Sequence, residues 1–101
     1  MILDRFKLDD KVAIVTGAGK GIGACTAQSL AEVGAAVVCV ARTQSDVDQR
    51  AKAITDMGGK ALAIAADVTD AADRQRLVDA TMDYFGRIDV LVNNAGGTGH
   101  G

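Results

Sequence analysis

The chain of 101 residues contains no proline and no tryptophan, and it has a single histidine and two cysteines. Cys25 and Cys39 have no second pair beside them, so neither a zinc site nor a disulfide framework is indicated, and we predict two buried, reduced thiols. No apolar run approaches the roughly 18 residues that cross a membrane, and the N-terminus lacks the apolar region of a secretory signal. We therefore expect a cytoplasmic protein with no metal site and no membrane partner.

Basic residues are not in excess either. Eleven Lys and Arg stand against thirteen Asp and Glu, which gives a net charge of −2 without a basic block, so nucleic acid is not expected as a partner. Hydrophobic residues make up 49% of the chain and charged residues 24%. This balance fits a soluble globular protein and excludes a disordered tail or a collagen-like repeat. We interpret residues 1–101 as a single domain.

Four short apolar runs recur along the chain, and each is continuous rather than alternating in polarity. Such runs are typical of parallel strands that are covered on both faces of a sheet. The runs are VAIVT at 12–16, AVVCV at 36–40, ALAIAA at 61–66 and IDVLVN at 88–93.

Three stretches with helical spacing lie between these runs. The first covers residues 21–34, and Gly34 provides its end. Four of its apolar positions fall on one stripe that is predicted to face the core: Ile22, Ala27, Leu30 and Val33.

The second stretch covers residues 45–57 and opens with Ser45, with Asp48 three positions later, which indicates a start similar to a capping box. Gly58 and Gly59 end it. The third stretch begins near Thr69 or Asp70 and ends at Gly86. Its apolar positions are Leu77, Val78, Met82 and Phe85.

This alternation of strands and helices indicates βαβ units with right-handed crossovers. We therefore predict an α/β fold, a Rossmann-type doubly wound parallel sheet with the strand order 3-2-1-4. In this order the first and fourth strands are neighbours. Their carboxyl ends flank the switch point at which such sheets bind ligands.

Four glycines alternate with other residues in TGAGKGIG at 16–23, where the first strand turns into the first helix. Glycine in an ordered element costs roughly 0.5–1 kcal/mol relative to alanine, so this loop needs a local reason for them. A helix N-terminus offers free N–H groups and partial positive charge, and glycines let a pyrophosphate approach the backbone. A tight strand-to-helix turn without a ligand would explain the same glycines.

A second motif, NNAG at 93–96, follows the fourth strand directly. The predicted topology brings it into the same crevice as the glycine loop, although the two lie far apart in sequence. Asn93 and Asn94 could also be turn-forming residues and nothing more.

Together these motifs resemble the short-chain dehydrogenase/reductase family. TGAGKGIG at 16–23 is similar to its cofactor motif, NNAG at 93–96 to its second motif, and AADVTD at 65–70 to the segment that contacts adenine. The resemblance spans the chain and implies hydride transfer between a nicotinamide dinucleotide and a carbonyl or alcohol.

The resemblance also implies roles for individual residues. Glycines of the loop line the pyrophosphate and ribose, Asp67 and Val68 hold the adenine, and residues 93–96 flank the nucleotide. For Asp67, a solvated residue before a helix is the alternative. The full set of predicted cofactor-binding residues is Thr16, Gly17, Gly19, Lys20, Gly21, Ile22, Gly23, Arg42, Asp67, Val68, Asn93, Asn94, Ala95 and Gly96.

The end of the second strand indicates which dinucleotide is bound. An NAD site places Asp or Glu there for the ribose 2′-OH, but here Ala41 is followed by Arg42. An unopposed guanidinium suits a 2′-phosphate, and Lys20 could add a second cation, so we favour NADP(H) over NAD(H). Both cations could instead be ordinary surface charges. Asp46 and Asp48 are interpreted as helix-start residues rather than ribose ligands.

The family's catalytic residues are not found in this chain. Members use a tyrosine, a lysine four residues later and a serine, but here Ile88 follows four residues after Tyr84. Tyr84 is expected to pack, and His100 is interpreted as a loop residue. Ser29 and Ser45 lie in predicted helices of the cofactor half. We therefore expect no catalytic residue in this chain, which represents the cofactor-binding half of the enzyme.

Two alternatives remain open from the sequence. The chain could be a truncated, non-enzymatic module that binds dinucleotide without turnover. A methyltransferase is a third interpretation, but it would require an acid at the end of the second strand, where Ala41 and Arg42 stand. By resemblance a small carbonyl or alcohol substrate and a homo-oligomer are expected.

Overall fold

The structure, a computed structural model, describes residues 8–94. In this part of the chain strands and helices alternate without exception. The elements are β1 (Val12–Thr16), α1 (Gly21–Glu32), β2 (Ala36–Ala41), α2 (Gln44–Asp56), β3 (Lys60–Ala65), α3 (Ala71–Phe85) and β4 (Val90–Asn93). Ala95 and Gly96, predicted as site residues, and His100 lie outside the described residues.

The four strands form one parallel sheet in the order β3-β2-β1-β4. The predicted α/β fold and strand order are therefore confirmed. Thr16, the last residue of β1, is in register with Val40 of β2 on one side and with Asn93 of β4 on the other. We call the edge of the sheet at which the strands end the carboxyl rim, and the opposite edge the amino rim. None of the helices between residues 8 and 94 is long and apolar enough to cross a membrane.

The core lies on both faces of the sheet because successive strand residues point to opposite sides. On one face, Val37 and Cys39 of β2 pack in a cluster with Val47 and Ile54 of α2 and with alanines of α1. On the other face, Val38 of β2 belongs to a cluster that includes Leu77 of α3. Strands β1 and β2 are thus covered on both sides, as their continuous apolar runs predict, but Leu91 of β4 is 65% exposed, so the prediction is wrong for β4.

Helix α1 buries mainly small side chains, which include only Ala27 of the predicted stripe. Its buried residues are Gly23, Ala24, Ala27 and Ala31. Ile22 is 78% exposed, so its assignment to the core is wrong. Leu30 is partly buried against the cluster that contains Ala27. Short side chains let the helix approach the sheet closely, which a stripe of large residues would prevent.

The starts of the other two helices differ in how well they could be predicted. Helix α2 begins at Gln44 after Thr43, with no side-chain cap, so the predicted capping box at Ser45 is wrong. The carboxylate of Asp48 accepts a hydrogen bond from the Gln44 side chain instead. The start of α3 is confirmed at Asp70, whose carboxylate accepts from the N–H of Ala72 at 3.1 Å.

The apolar residues of α3 and β4 are less buried than the sequence suggests. In α3 only Leu77 and Thr81 are buried, while Val78 and Met82 are exposed. Tyr84 contacts Phe85 edge to face at 4.8 Å but is 64% exposed, so the expected packing role is wrong. Strand β4 begins at 90 rather than at 88.

The two cysteines have different environments. Cys39 is buried, as expected, whereas Cys25 is exposed, which corrects the prediction of two buried thiols. Burial raises the pKa of the Cys39 thiol to about 11, although the charge of Arg50 opposes this rise. Cys39 is therefore a protonated core residue at neutral pH.

Candidate functional site

The glycine loop and the second motif meet at the carboxyl rim because Thr16 joins the ends of β1 and β4. Its hydroxyl donates a hydrogen bond to Oδ1 of Asn93 at 2.8 Å and accepts one from the N–H of Asn94 at 3.1 Å. Thr16 is only 3% exposed. Its side chain therefore holds the two motifs together from beneath, and the predicted convergence of the motifs is present in the described residues.

The glycine loop folds back over the end of β2. The N–H of Ala18 donates to the carbonyl oxygen of Val40 at 3.0 Å, and Ala18 is fully buried. Gly17 and Gly21 have φ angles of 66° and 58°. These values lie in the left-handed region that side chains disfavour, so the path of the loop requires glycine at both positions.

The other two glycines are required by close approach. A Cβ added at Gly23 would overlap the carbonyl oxygen of Gly17, so the first turn of α1 lies directly against the loop. A Cβ added at Gly19 would lie 2.7 Å from the Cβ of Asp46 in α2. The alternating glycines thus allow one loop to touch both its own helix and the next one.

The start of α1 presents backbone donors to the carboxyl rim. Lys20 precedes the helix in an extended conformation, with φ −147° and ψ 160°, and no side chain caps the helix. The first turn contains no acidic residue. The first N–H groups of a helix have no partner within it, and they carry part of the positive end of the helix dipole. This end of α1 therefore suits an anionic group.

The two predicted cations lie at the same rim, and each has an acid near it. Lys20 Nζ is 3.9 Å from Oδ2 of Asp46. Arg42 is exposed directly after the end of β2, and its charge helps to lower the pKa of Asp67. The expectation that the Arg42 guanidinium is unopposed stays a prediction. The sequence placed Asp46 at the start of α2, where it lies, but gave no signal of its contacts with Gly19 and Lys20.

The predicted adenine segment is held by side chains. Oδ1 of Asp67 accepts hydrogen bonds from the backbone N–H of Thr69 at 2.9 Å and from its hydroxyl at 2.6 Å. These bonds are the main reason that the pKa of Asp67 lies below its usual value. The N–H of Asp67 donates to Oδ2 of Asp73 at 2.8 Å. Asp67 is thus an ionised carboxylate on an anchored backbone.

The first turns of α3 fix the rest of this segment. Arg74 donates to the carbonyl oxygen of Val68 at 2.9 Å, and Arg76 donates to that of Ala65 at 2.8 Å. The N–H of Ala66 donates to the carbonyl oxygen of Ala41 at the end of β2. Sequence reasoning missed these arginines because long charged side chains on an exposed helix are usually solvated.

Tyr84, the candidate acid–base residue, does not reach this rim. Tyr84 lies in the last turn of α3, which leads to the start of β4 and therefore to the amino rim. Ser29 and Ser45 are exposed on α1 and α2. Between residues 8 and 94, the carboxyl rim therefore offers donors, cations and carboxylates that can bind a ligand, but no tyrosine–lysine pair.

Comparison with known proteins agrees with this architecture. The family model of the short chain dehydrogenases matches residues 11–101. An uncharacterised oxidoreductase of Methylorubrum extorquens is 54% identical over 91 residues, which are 89% of this chain and 37% of that protein. This chain therefore spans little more than a third of the length of that relative.

Two solved structures are also similar. One is a 7α-hydroxysteroid dehydrogenase complexed with NADH and 7-oxo glycochenodeoxycholic acid, with a TM-score of 0.87 and 37% identity over 89% of this chain and 35% of that one. The other is a metagenomic short-chain oxidoreductase in complex with NADP, with a TM-score of 0.83 and 39% identity over 88% of this chain and 40% of that one. The chain belongs to the short-chain dehydrogenase/reductase family.

Proposed function

We propose that this chain binds a nicotinamide dinucleotide at the carboxyl rim and is the cofactor-binding half of an oxidoreductase. The observation that carries this proposal is the convergence of the glycine loop with Asn93 and Asn94 through the buried hydroxyl of Thr16. A strand-to-helix turn without a ligand would not need a second motif at this position. Family membership supports the same conclusion.

The residues of the rim fit the parts of such a cofactor. The pyrophosphate would lie at the start of α1, where the backbone donors of residues 21–23 are uncapped. The adenine would be held by Asp67, whose Oδ1 is occupied by Thr69 while Oδ2 has no such bond among the described contacts. Val68 would add its backbone N–H. Asn93, Asn94 and, outside the described residues, Ala95 and Gly96 would flank the nucleotide.

When bound, the nicotinamide supplies a hydride donor or acceptor for a carbonyl or alcohol substrate. The residues of this chain bind and orient the dinucleotide. The sequence contains one tyrosine, Tyr84, and no lysine four residues after it, so we expect no turnover from these 101 residues alone. A cytoplasmic location and a homo-oligomeric state remain predictions.

We further propose that NADP(H) is preferred over NAD(H). Ala41 stands where an NAD site would place an acid, and Arg42 and Lys20 offer two cations to a 2′-phosphate. One related structure holds NADH and the other holds NADP, so similarity alone favours neither cofactor. The proposed preference therefore depends on Ala41, Arg42 and Lys20. Arg42 is exposed and has the planar donor geometry that suits a phosphate.

Calorimetric titration with NADP⁺ and NAD⁺ tests both parts of the proposal. We expect tighter binding of NADP⁺, and we expect Arg42→Ala to remove roughly 1.5–3 kcal/mol of the difference, which is about ten- to hundredfold in affinity. Binding of NAD⁺ should be unchanged in this variant, because its 2′-hydroxyl does not need the guanidinium.

Lys60→Ala is the matched control, since it removes one exposed positive charge at the amino rim, at the start of β3. It should leave both affinities unchanged. Equal affinities for NADP⁺ and NAD⁺ in the unmodified protein would contradict the preference, and the absence of binding to either would contradict the function.

A further inference from the structure

One ion pair crosses the candidate 2′-phosphate region. Nζ of Lys20, in the glycine loop, lies 3.9 Å from Oδ2 of Asp46 in the first turn of α2. The Lys20 side chain is 85% exposed, whereas that of Asp46 is 26% exposed. The lysine is therefore free to turn toward another partner, but the carboxylate is largely fixed in place.

Two features hold Asp46 against the glycine loop. Its Cβ is packed on Gly19 so closely that a Cβ at that residue would be only 2.7 Å away. Its position in the first turn of α2 also places this acidic side chain at the positive end of the helix dipole. Asp46 thus places an acidic side chain directly beside the glycine loop.

We propose that Asp46 is a specificity-determining residue, which competes with the cofactor's 2′-phosphate for Lys20 and so limits the preference for phosphorylated dinucleotides. This inference rests on the proposed function of the rim. A 2′-phosphate can form an ion pair with the Lys20 ammonium only if Lys20 turns away from Asp46. The phosphate is also repelled by the nearby Asp46 carboxylate. A 2′-hydroxyl needs neither, so binding of NAD(H) does not depend on Asp46.

The charges around the site give the expected size of the effect. The charge of Arg42 helps to lower the pKa of Asp67, whereas Lys20 has the Asp46 carboxylate within 3.9 Å. The Lys20–Asp46 pair is solvent-accessible, and such pairs have modest energies that salt reduces further. We therefore expect removal of the Asp46 charge to change affinity several-fold rather than by orders of magnitude.

The test is titration of Asp46→Asn with NADP⁺ and NAD⁺ by calorimetry at low salt. We expect NADP⁺ to bind about three- to fivefold more tightly than in the unmodified protein, with the affinity for NAD⁺ unchanged. The gain should shrink as salt is added. In a Lys20→Ala background, Asp46→Asn should give a smaller gain, because only the repulsion between the carboxylate and the phosphate is then removed.

Asp48→Asn is the matched control, since it removes the same charge from the same helix at a residue that contacts Gln44 rather than Lys20. It should leave the ratio of the two affinities unchanged. Asp46→Ser provides a second variant in which a residue suited to helix starts replaces the acid, and it should raise the ratio in the same direction. Thermal melting of each variant shows that the fold is retained.

The outcomes separate this inference from the function on which it rests. If the unmodified protein prefers NADP⁺ through Arg42 but Asp46→Asn leaves the ratio unchanged or lowers it, the role of Asp46 is wrong and the proposed function stands. If the unmodified protein binds neither dinucleotide, the proposed function is wrong and the inference fails with it. A rise in the ratio for Asp46→Asn and Asp46→Ser, but not for Asp48→Asn, supports the inference.

Discussion

At the amino rim of the sheet glycines end helices, whereas at the carboxyl rim they lie before a helix or in its first turn. Gly34 and Gly58, with φ angles of 103° and 91°, follow α1 and α2. Glycine is common at such positions because it adopts the left-handed conformation that stops a helix. Gly19 and Gly23, by contrast, are needed because other atoms approach them. Glycine content alone does not distinguish a helix end from a binding loop.

The two rims also differ in electrostatic character, although the net charge of the chain is only −2. All helices in the described part of the chain start at the carboxyl rim and end at the amino rim, because each follows one parallel strand and precedes the next. Their dipoles therefore favour anions at the carboxyl rim. The amino rim has a groove whose charged lining residues are the acids Asp9, Asp10 and Glu32 and one base, Lys60. The order of the elements, not the total charge, determines where an anion can bind.

The largest expected effect comes from adding a side chain at Gly23, where the glycine loop and helix α1 are in direct contact at the carboxyl rim. In Gly23→Ala, the added methyl group would overlap the carbonyl oxygen of Gly17, so the loop and helix α1 must separate. We expect dinucleotide binding to fall by at least about a hundredfold and the free energy of unfolding to fall by about 1–3 kcal/mol, as in other overpacked sites. Calorimetry and chemical denaturation measure the two effects.

Gly58→Ala is the matched control at the amino rim. No atom lies within 4 Å of a Cβ added there, but φ is 91°, so strain alone should lower stability by about 1 kcal/mol. Binding should remain unchanged. If Gly58→Ala weakened binding as much as Gly23→Ala, the two rims would not differ in function.

A smaller effect is expected from the adenine segment. Asp73→Asn weakens the acceptor for the N–H of Asp67 and the ion pair with Arg76. We expect the binding free energy of both dinucleotides to weaken by about 1 kcal/mol, since adenine is common to both. Titration with a hypoxanthine analogue, which lacks the exocyclic amine, should show a smaller loss if Asp73 acts through Asp67.

Asp79→Asn controls for charge on the same helix, because Asp79 accepts a hydrogen bond from Gln75 and does not contact the segment. An equal loss of dinucleotide affinity in Asp73→Asn and Asp79→Asn would mean that the negative charge of α3, rather than the anchored backbone of Asp67, determines the affinity.

The smallest effect is expected at the amino rim. Asp89 accepts hydrogen bonds from Arg87 and from the N–H of Val12, and these bonds hold its pKa below the ordinary value of 3.8. A lowered pKa stabilises the fold above the unfolded-state value, and this contribution is lost as the pH falls through the folded-state value. Asp89→Asn should therefore reduce the melting temperature slightly at pH 7.

The difference between Asp89→Asn and the unmodified protein should begin to shrink as the pH falls below about 3.8, and it should disappear once the pH is below the lowered folded-state pKa. Dinucleotide affinity at pH 7 should be the same in both proteins, because Asp89 precedes β4 at the amino rim. A clear loss of affinity in this variant would show that the amino rim contributes to the site.

The sheet could be predicted because its signal is local and repeated. Continuous apolar runs such as 12–16 and 36–40 have few structural alternatives between helical stretches, and the glycine loop fixed the position of the first helix. Helix faces were harder to predict. Ile22 has the right spacing for the core but is 78% exposed, while Gly23 and Ala24 beside it are buried, and Tyr84 at the end of α3 is 64% exposed.

The site was predictable where it depends on backbone and motif, but not where it depends on contacts between distant side chains. The approach of Gly19 to Asp46 joins a loop to a helix that starts only after the next strand. The bond from Asp67 to Asp73 depends on the angle at which α3 leaves β3. Neither angle nor distance is contained in residue spacing, so the partners of Lys20 and Asp67 required the folded structure.

The central claim, that the carboxyl rim binds a dinucleotide, is tested most directly by backbone amide chemical shifts during titration with NADP⁺. We predict shifts for the amides of residues 17–23, for Asp67 and Val68, and for Asn93 and Asn94. The amides of Gly34, Gly58 and Gly59 at the amino rim should not move. Shifts confined to the amino rim, or no shifts at saturating NADP⁺ and NAD⁺, would contradict the account.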